Sequence, residues 1–245
     1  MTLHLDSTTH LLVLTGAGIS AESGIPTFRD AGGLWEGNRV EDVASPEGFA
    51  RDPLTVWRFY SQRRAAMEGI TPNAAHRALV AIEQQLGDRF LLVTQNVDGL
   101  HRAAGSERVV EIHGTLMRSR CSVCDREPFE DHTAYKPNVA PLCGVCQRAG
   151  RDALLRPDIV WFGESVVADA LPRIEAFVDA ARGGALRYVA IGTSGLVYPS
   201  AGLVDVVRAR GGRSWLVNTE RPTNAAQFDE VVLGRAGDAV PALFA

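Results

Sequence analysis

The chain has 245 residues, 46% of them hydrophobic and 22% charged, with a formal net charge of −4. That balance excludes a disordered or fibrous protein, and an acidic chain with no basic tract is not built to bind phosphate backbones. No apolar stretch approaches the ~18 residues a membrane span needs, and residues 1–10 carry no Lys or Arg. The expectation is a soluble, cytoplasmic protein with no signal peptide, no membrane association and no direct nucleic-acid partner.

In chain order, the apolar run 11–15 reads as a buried parallel strand that leads directly into Gly16-Ala17-Gly18-Ile19-Ser20-Ala21. This is the G-x-G-x-x-A form of the dinucleotide fingerprint. Its glycines would let the backbone approach a pyrophosphate, and a helix N-terminus would hold the charge. Residues 31–70 begin Gly-rich and turn helical. Within them, 56–67 predicts a helix with Val56, Tyr60, Arg63 and Met67 on one face. Arg63 thus interrupts an apolar stripe, either snorkelling to water or offering a guanidinium to a carboxylate in a pocket. Arg64 falls off the stripe and is expected to be solvated.

Asn73 caps a predicted helix running to about Leu86, stopped by Gly87. The strand Phe90–Thr94 ends in Gln95-Asn96-Val97-Asp98, amide and acid groups where a doubly wound sheet holds ligands, although Asn and Asp also serve Asx turns. The run 109–112 delivers His113, which reads as a base or as a satisfied structural histidine. Cys121, Cys124, Cys143 and Cys146 form C-x2-C, eighteen residues, C-x2-C. Four thiolates at that spacing imply one closed, structural Zn2+.

A helix is predicted over about 168–181, stopped by Gly183 and Gly184, and another over about 201–209. The strand 188–191 ends in Gly192-Thr193-Ser194. The strand 214–217 runs into Asn218-Thr219-Glu220, whose carboxylate can accept a ribose hydroxyl, and 230–233 is the last strand. Strands alternating with helices give an α/β fold, a doubly wound parallel sheet (Rossmann-like), with a small zinc-binding and helical domain inserted. The large domain takes 1–30, 71–114 and 156–245, the helical module 31–70, and the zinc-binding module 115–155.

These motifs, together with Gly24-Ile25-Pro26-Thr27-Phe28-Arg29, His113-Gly114 and residues 156–164, resemble the sirtuin family over nearly the whole chain and in the family's order. The resemblance implies a deacylase that consumes NAD. The acyl-lysine carbonyl oxygen attacks the anomeric carbon of the nicotinamide ribose, nicotinamide leaves, and His113 activates a ribose hydroxyl as general base. It also implies that Asn96, placed with His113 in the catalytic set, and Asp98 hold the nicotinamide carboxamide, with Gln95 on the ribose. Gly16, Ala17, Gly18, Ile19, Ser20, Val97, Gly192, Thr193, Ser194, Asn218, Thr219, Glu220 and Ala236 complete the NAD site. Phe28 and Arg29 match a loop that closes over NAD.

By the same resemblance, 160–164 is a strand that pairs with the substrate peptide, and Val160, Phe162, Gly163 and Glu164 touch it. The Tyr60-x-x-Arg63 pair with Ala44 resembles the acyl pocket of class III sirtuins, which places that pocket and the NAD loop in the helical module. The implied reaction is removal of succinyl, malonyl or glutaryl groups, and more weakly acetyl, from lysines of proteins or peptides, forming nicotinamide and O-acyl-ADP-ribose. Competing readings are a mono-ADP-ribosyltransferase and a non-catalytic NAD or ADP-ribose sensor.

Overall fold

The computed structural model describes residues 2–27, 34–35, 37–181 and 185–245, with Leu34 and Trp35 as backbone only. Strand β1 (His10–Thr15) is followed by two 3-10 turns, Ala17–Ile19 and Ala21–Ser23. The helix expected after the glycine turn does not form. Gly24 takes φ 91° at the end of the second turn, and Pro26 removes a helical N–H two residues later. A hairpin of β2 (Leu34–Trp35) and β3 (Asn38–Arg39) precedes helices α1 (Val40–Val43), α2 (Pro46–Arg51) and α3 (Pro53–Ala66). Both α2 and α3 open with Pro behind a side-chain cap, Ser45 Oγ and Asp52.

The chain continues through α4 (Ala74–Leu86), β4 (Phe90–Thr94), α5 (Leu100–Ala104), β5 (Val109–Glu111) and β6 (Gly114–Cys121). Next come β7 (Phe129–Glu130), α6 (Gly144–Arg148), β8 (Leu155–Ile159) and α7 (Ala170–Ala180). The last elements are β9 (Leu186–Ile191), α8 (Leu203–Ala209), β10 (Arg213–Asn218), β11 (Glu230–Leu233) and α9 (Ala236–Leu243). Helix α4 matches its prediction: Asn73 caps it and Gly87 ends it. Gly183 and Gly184, expected to stop α7, lie outside the described residues.

Six strands pair in the order β11-β10-β9-β1-β4-β5, all parallel. Side chains alternate across a strand, so β1 splits its apolar residues between two cores. Leu11 and Val13 pack with Leu79, Ile82, Leu92 and Val240 on the α4–α9 face. Leu12 and Leu14 pack with Ile174, Val178, Tyr188 and Val207 on the α7–α8 face. From β1 the order runs one way to β4 and β5 and the other way to β9, β10 and β11. The topological switch therefore lies between β1 and β9, where such sheets open a crevice at their carboxyl ends.

A second sheet, β7-β6-β8, is antiparallel. Helices α1–α3 and the cysteine knuckles share one core with it, built on Val43, Phe49, Trp57, Tyr60, Leu116, Leu155 and Trp161. Residues 155–159 therefore pair outside the large sheet, and the predicted boundary at 156 does not coincide with the change of sheet. Gly114 is where the chain passes from one sheet to the other. At φ 75°, a Cβ there would lie 2.1 Å from the Asp158 carbonyl oxygen, so β6 and β8 can close beside His113 only on glycine. No helix of the described residues is long and apolar enough to cross a membrane.

Candidate active site

The loops after β1 and β9 meet backbone to backbone. Gly18 N–H donates to Gly192 O at 2.8 Å and Gly16 N–H to Ile191 O at 3.0 Å. A Cβ on Gly18 would stand 2.6 Å from Gly192 Cα, and one on Gly192 2.4 Å from Ile19 N. The fingerprint glycines are thus required by the closure of these loops on each other. Beside them opens a cavity of about 520 Å3 that runs from both loops to the small-sheet module.

His113 lines this cavity. Its Nδ1–H donates to the Gln95 carbonyl at 3.0 Å, which leaves Nε2 as the proton-accepting nitrogen. Burial lowers the ring's pKa below the ordinary histidine value, and the Gln95 bond opposes the shift. Gln95 Oε1 accepts from Thr193 Oγ1 at 2.8 Å, and Asn218 Nδ2 donates to Thr193 O at 3.1 Å, so one chain of bonds ties the ends of β4, β9 and β10. Asn96 Nδ2 donates to Gly16 O at 3.1 Å. Asp98 accepts from Ser20 Oγ at 2.7 Å and from Leu100 N–H at 2.9 Å. Burial raises the Asp98 pKa against those two bonds and the nearby charge of Arg63.

Behind Asn96 lies a buried polar relay. Asn96 N–H and Thr15 Oγ1 both donate to Thr94 Oγ1, and His101 Nε2 meets Thr15 Oγ1 at 2.9 Å. The His76 ring lies 4.8 Å from that of His101. Burial pushes His76 down to about 4 and His101 to about 3, with the neighbouring charges of Arg77 and His76 adding to the respective shifts. Both rings are therefore neutral in the folded protein and would titrate near 6.5 once unfolded. The folded state binds fewer protons, so stability falls as pH drops below about 6.5, and the pair costs roughly 5 kcal/mol between pH 7 and pH 4. Urea midpoints followed over this range should fall more steeply for the wild type than for His76→Gln/His101→Gln. Parallel profiles would contradict the assignment.

The small-sheet module supplies the other wall. Ala44, Tyr60 and Arg63 line the same cavity. Tyr60 is fully buried, its pKa pushed up to about 12 by that burial, and its oxygen accepts from Trp161 Nε1 at 3.0 Å. Among the described residues no acceptor is bonded to its own O–H proton. The Arg63 guanidinium lies 5.6 Å from the Phe59 ring centre. Arg64 is not solvated. Its side chain is fully buried and all five of its N–H groups find acceptors on the small sheet and the segment beyond it. The helical wheel, which sets Arg63 and Arg64 on different faces, could not show that carbonyls of β6 face Arg64.

Segment 160–164 is not a strand. β8 ends at Ile159, and Val160 N–H donates to His113 O at 2.9 Å while Phe162 N–H donates to Ala44 O at 3.0 Å. Glu164 closes the turn, accepting a two-pronged bond from Arg156 at 2.7 and 2.8 Å and another from Trp161 N–H. Burial opposes ionisation of Glu164, but these bonds outweigh it and hold the carboxyl below its ordinary value.

The four cysteine sulfurs lie within 4.8 Å of one another, with Cys121–Cys146 at 3.7 Å and Cys124–Cys143 at 3.9 Å. A tetrahedral Zn2+ with ~2.3 Å bonds needs sulfurs about 3.8 Å apart, so the set is compatible with one structural zinc. The N–H groups of Val123 and Cys124 both point at Cys121 Sγ, at 3.3 Å.

Of the residues expected to bind NAD, Gly16, Ala17, Gly18, Gln95, Asn96, Val97, Asp98, Gly192, Thr193, Ser194, Asn218, Thr219 and Ala236 line the cavity. So do His113, Val160, Phe162, Gly163 and Glu164. Ile19 instead packs into the large core, Ser20 acts one layer back through Asp98, and Glu220 is exposed outside the lining. Phe28 and Arg29 lie outside the described residues. The lining also takes in Trp161, Val197 and Tyr198, which sequence reasoning missed. The signal for the last two was an apolar triplet, residues 196–198, in the loop that follows β9, left largely exposed by the fold.

The model of the Sir2 family matches residues 16–199. A Shewanella oneidensis protein named NAD-dependent protein deacylase is 44% identical over 241 residues, covering 96% of this chain and 92% of that protein. A solved Sir2 homologue–NAD complex is 39% identical with a TM-score of 0.85, covering 99% of this chain and 93% of that one. A Sir2–p53 peptide–NAD+ complex is 28% identical with a TM-score of 0.74, covering 93% and 89%.

Proposed function

Because the chain belongs to the Sir2 family, we propose that it is an NAD-dependent protein-lysine deacylase that prefers acyl groups ending in a carboxylate, namely succinyl, malonyl and glutaryl, over acetyl. The observation that carries the preference is the presence of Tyr60 and Arg63, with small Ala44, in the wall of the cavity that also holds His113 and Asn96. A terminal carboxylate there would take a two-pronged bond from Arg63 and the Tyr60 O–H proton, both strengthened by exclusion of water. Acetyl offers neither acceptor. Asn96 and Asp98 hold the nicotinamide amide, and the loops after β1, β9 and β10 hold the remainder of NAD. His113 Nε2 takes the ribose hydroxyl proton, with Nδ1–H kept on Gln95 O so that the lone pair stays aimed into the cavity. When bound, NAD supplies an anomeric carbon whose leaving group is nicotinamide, and protein or peptide acyl-lysine supplies the attacking oxygen.

The test is one lysine peptide carrying acetyl, succinyl, malonyl or glutaryl, assayed with and without NAD on the wild type and Arg63→Met. The dicarboxyl groups should leave faster. Losing a buried charge-assisted pair of about 2–4 kcal/mol should lower desuccinylation by roughly 10²-fold or more in Arg63→Met and deacetylation by less than about fivefold. Equal losses on both substrates would overturn the preference. Nicotinamide release that needs no acyl-lysine would redirect the assignment to ADP-ribosyl transfer.

A further inference from the structure

We infer that Arg64 is a positioning residue for acyl selection: it fixes the roll of α3 and so sets where Tyr60 and Arg63 stand in the cavity. The inference rests on the dicarboxyl preference proposed above. Helix α3 is held on two faces about 100° apart. Tyr60 and Arg63 form the face toward the cavity. Trp57, Ser61 and Arg64, each one residue further on than Val56, Tyr60 and Arg63, form the face toward the small sheet.

That second face is fastened mainly to backbone. Trp57 Nε1 donates to Leu155 O at 2.8 Å, and Tyr135 N–H donates to Ser61 Oγ at 3.1 Å. Arg64 Nε donates to Leu116 O at 2.9 Å, and its terminal nitrogens to Arg118 O, Thr133 O, Ser119 Oγ and Asp131 Oδ2 at 3.0–3.1 Å. Ser119 Oγ completes the set by donating to Asp131 at 2.5 Å. Five fixed acceptors around a planar fork admit one orientation of the helix, which a single ammonium could not impose. The main acceptor is itself fixed, because Leu116, whose carbonyl takes Arg64 Nε, donates its N–H to Val97 O at 2.8 Å.

The lever is long. A guanidinium stands roughly 8 Å from the helix axis, so a 10° roll moves it by about 1.4 Å, beyond the ~0.5 Å within which a recognition site must hold its groups. Acetyl-lysine, which does not contact the guanidinium, is insensitive to that movement.

The experiment measures kcat/KM for succinyl- and acetyl-lysine peptides on the wild type, Arg63→Met, Arg64→Lys and Ser119→Ala, each verified for zinc content and melting temperature. Arg64→Lys should lower the succinyl-to-acetyl ratio about tenfold, through the succinyl KM, with acetyl kcat/KM within about twofold of the wild type. Ser119→Ala should lower the ratio in the same direction and by less, and it decides the matter if Arg64→Lys loses zinc or unfolds. A wild-type ratio below one, or one unmoved by Arg63→Met, overturns the dicarboxyl reading itself. A high wild-type ratio that falls in Arg63→Met yet stays unchanged in folded Arg64→Lys and Ser119→Ala overturns the positioning role alone.

Discussion

His113→Ala is expected to lower turnover by about 10²–10⁴-fold, the usual worth of a positioned general base, while NAD affinity stays within about threefold. Nicotinamide release measures the first quantity and calorimetric titration with NAD the second. The Gln95 carbonyl can only accept, so Nδ1 carries the proton and Nε2 is left basic toward the cavity. The pH dependence has a definite sign. Burial lowers the ring's pKa, so the neutral, competent form persists below pH 6.5, and the acid limb of kcat/KM should lie on the acid side of an ordinary histidine. Turnover retained in His113→Ala, or an acid limb above 6.5, would remove His113 from the proton transfer.

Removing the metal should have the largest effect on the fold. Structural zinc contributes on the order of 10 kcal/mol to small metallo-domains, and here Cys121, Cys143 and Cys146 are buried in the core that Trp57, Tyr60 and Trp161 share. Chelation is expected to strip hydrogen-exchange protection from β6 and β8 while β1, β4 and β9 keep theirs, and to abolish activity together with that loss. Activity should go because β6 begins one residue after His113 and ends on Cys121, which makes the strand that leaves the base the strand that holds the metal. Protected β6 amides after complete metal removal would contradict the structural role.

The legible parts of this chain were those in which one local force dominates. The β4 bounds were readable because a fully buried parallel strand is an unbroken apolar run. The cysteines were readable because two knuckles impose their own spacing. The illegible parts depend on distant backbone. Arg64 reads as a surface charge until β6 is laid against α3. Residues 155–159 carry Arg, Pro and Asp and take their ladder partner, β6, from elsewhere in the chain, so that apolar continuity gives no sign of a strand. Gly16 and Gly18 stand out in the sequence as a fingerprint, but the partner that demands them, Gly192, is remote in the chain and visible only when β1 and β9 are adjacent. In the cavity, the motif residues were recoverable by resemblance, whereas Trp161, Val197 and Tyr198 enter through loop placement.

The position of β1 also bears on synthesis. Of the six strands of the large sheet it is made first, and its two neighbours there are β4, at Phe90–Thr94, and β9, at Leu186–Ile191. A nascent chain can dock β4 on β1 early, but the other edge of β1 stays open until most of the protein has left the ribosome. Long-range parallel pairing of this kind is slow and leaves an apolar edge exposed to other chains. The nucleotide crevice, formed where β1 meets β9, is accordingly among the last parts of the molecule to be assembled.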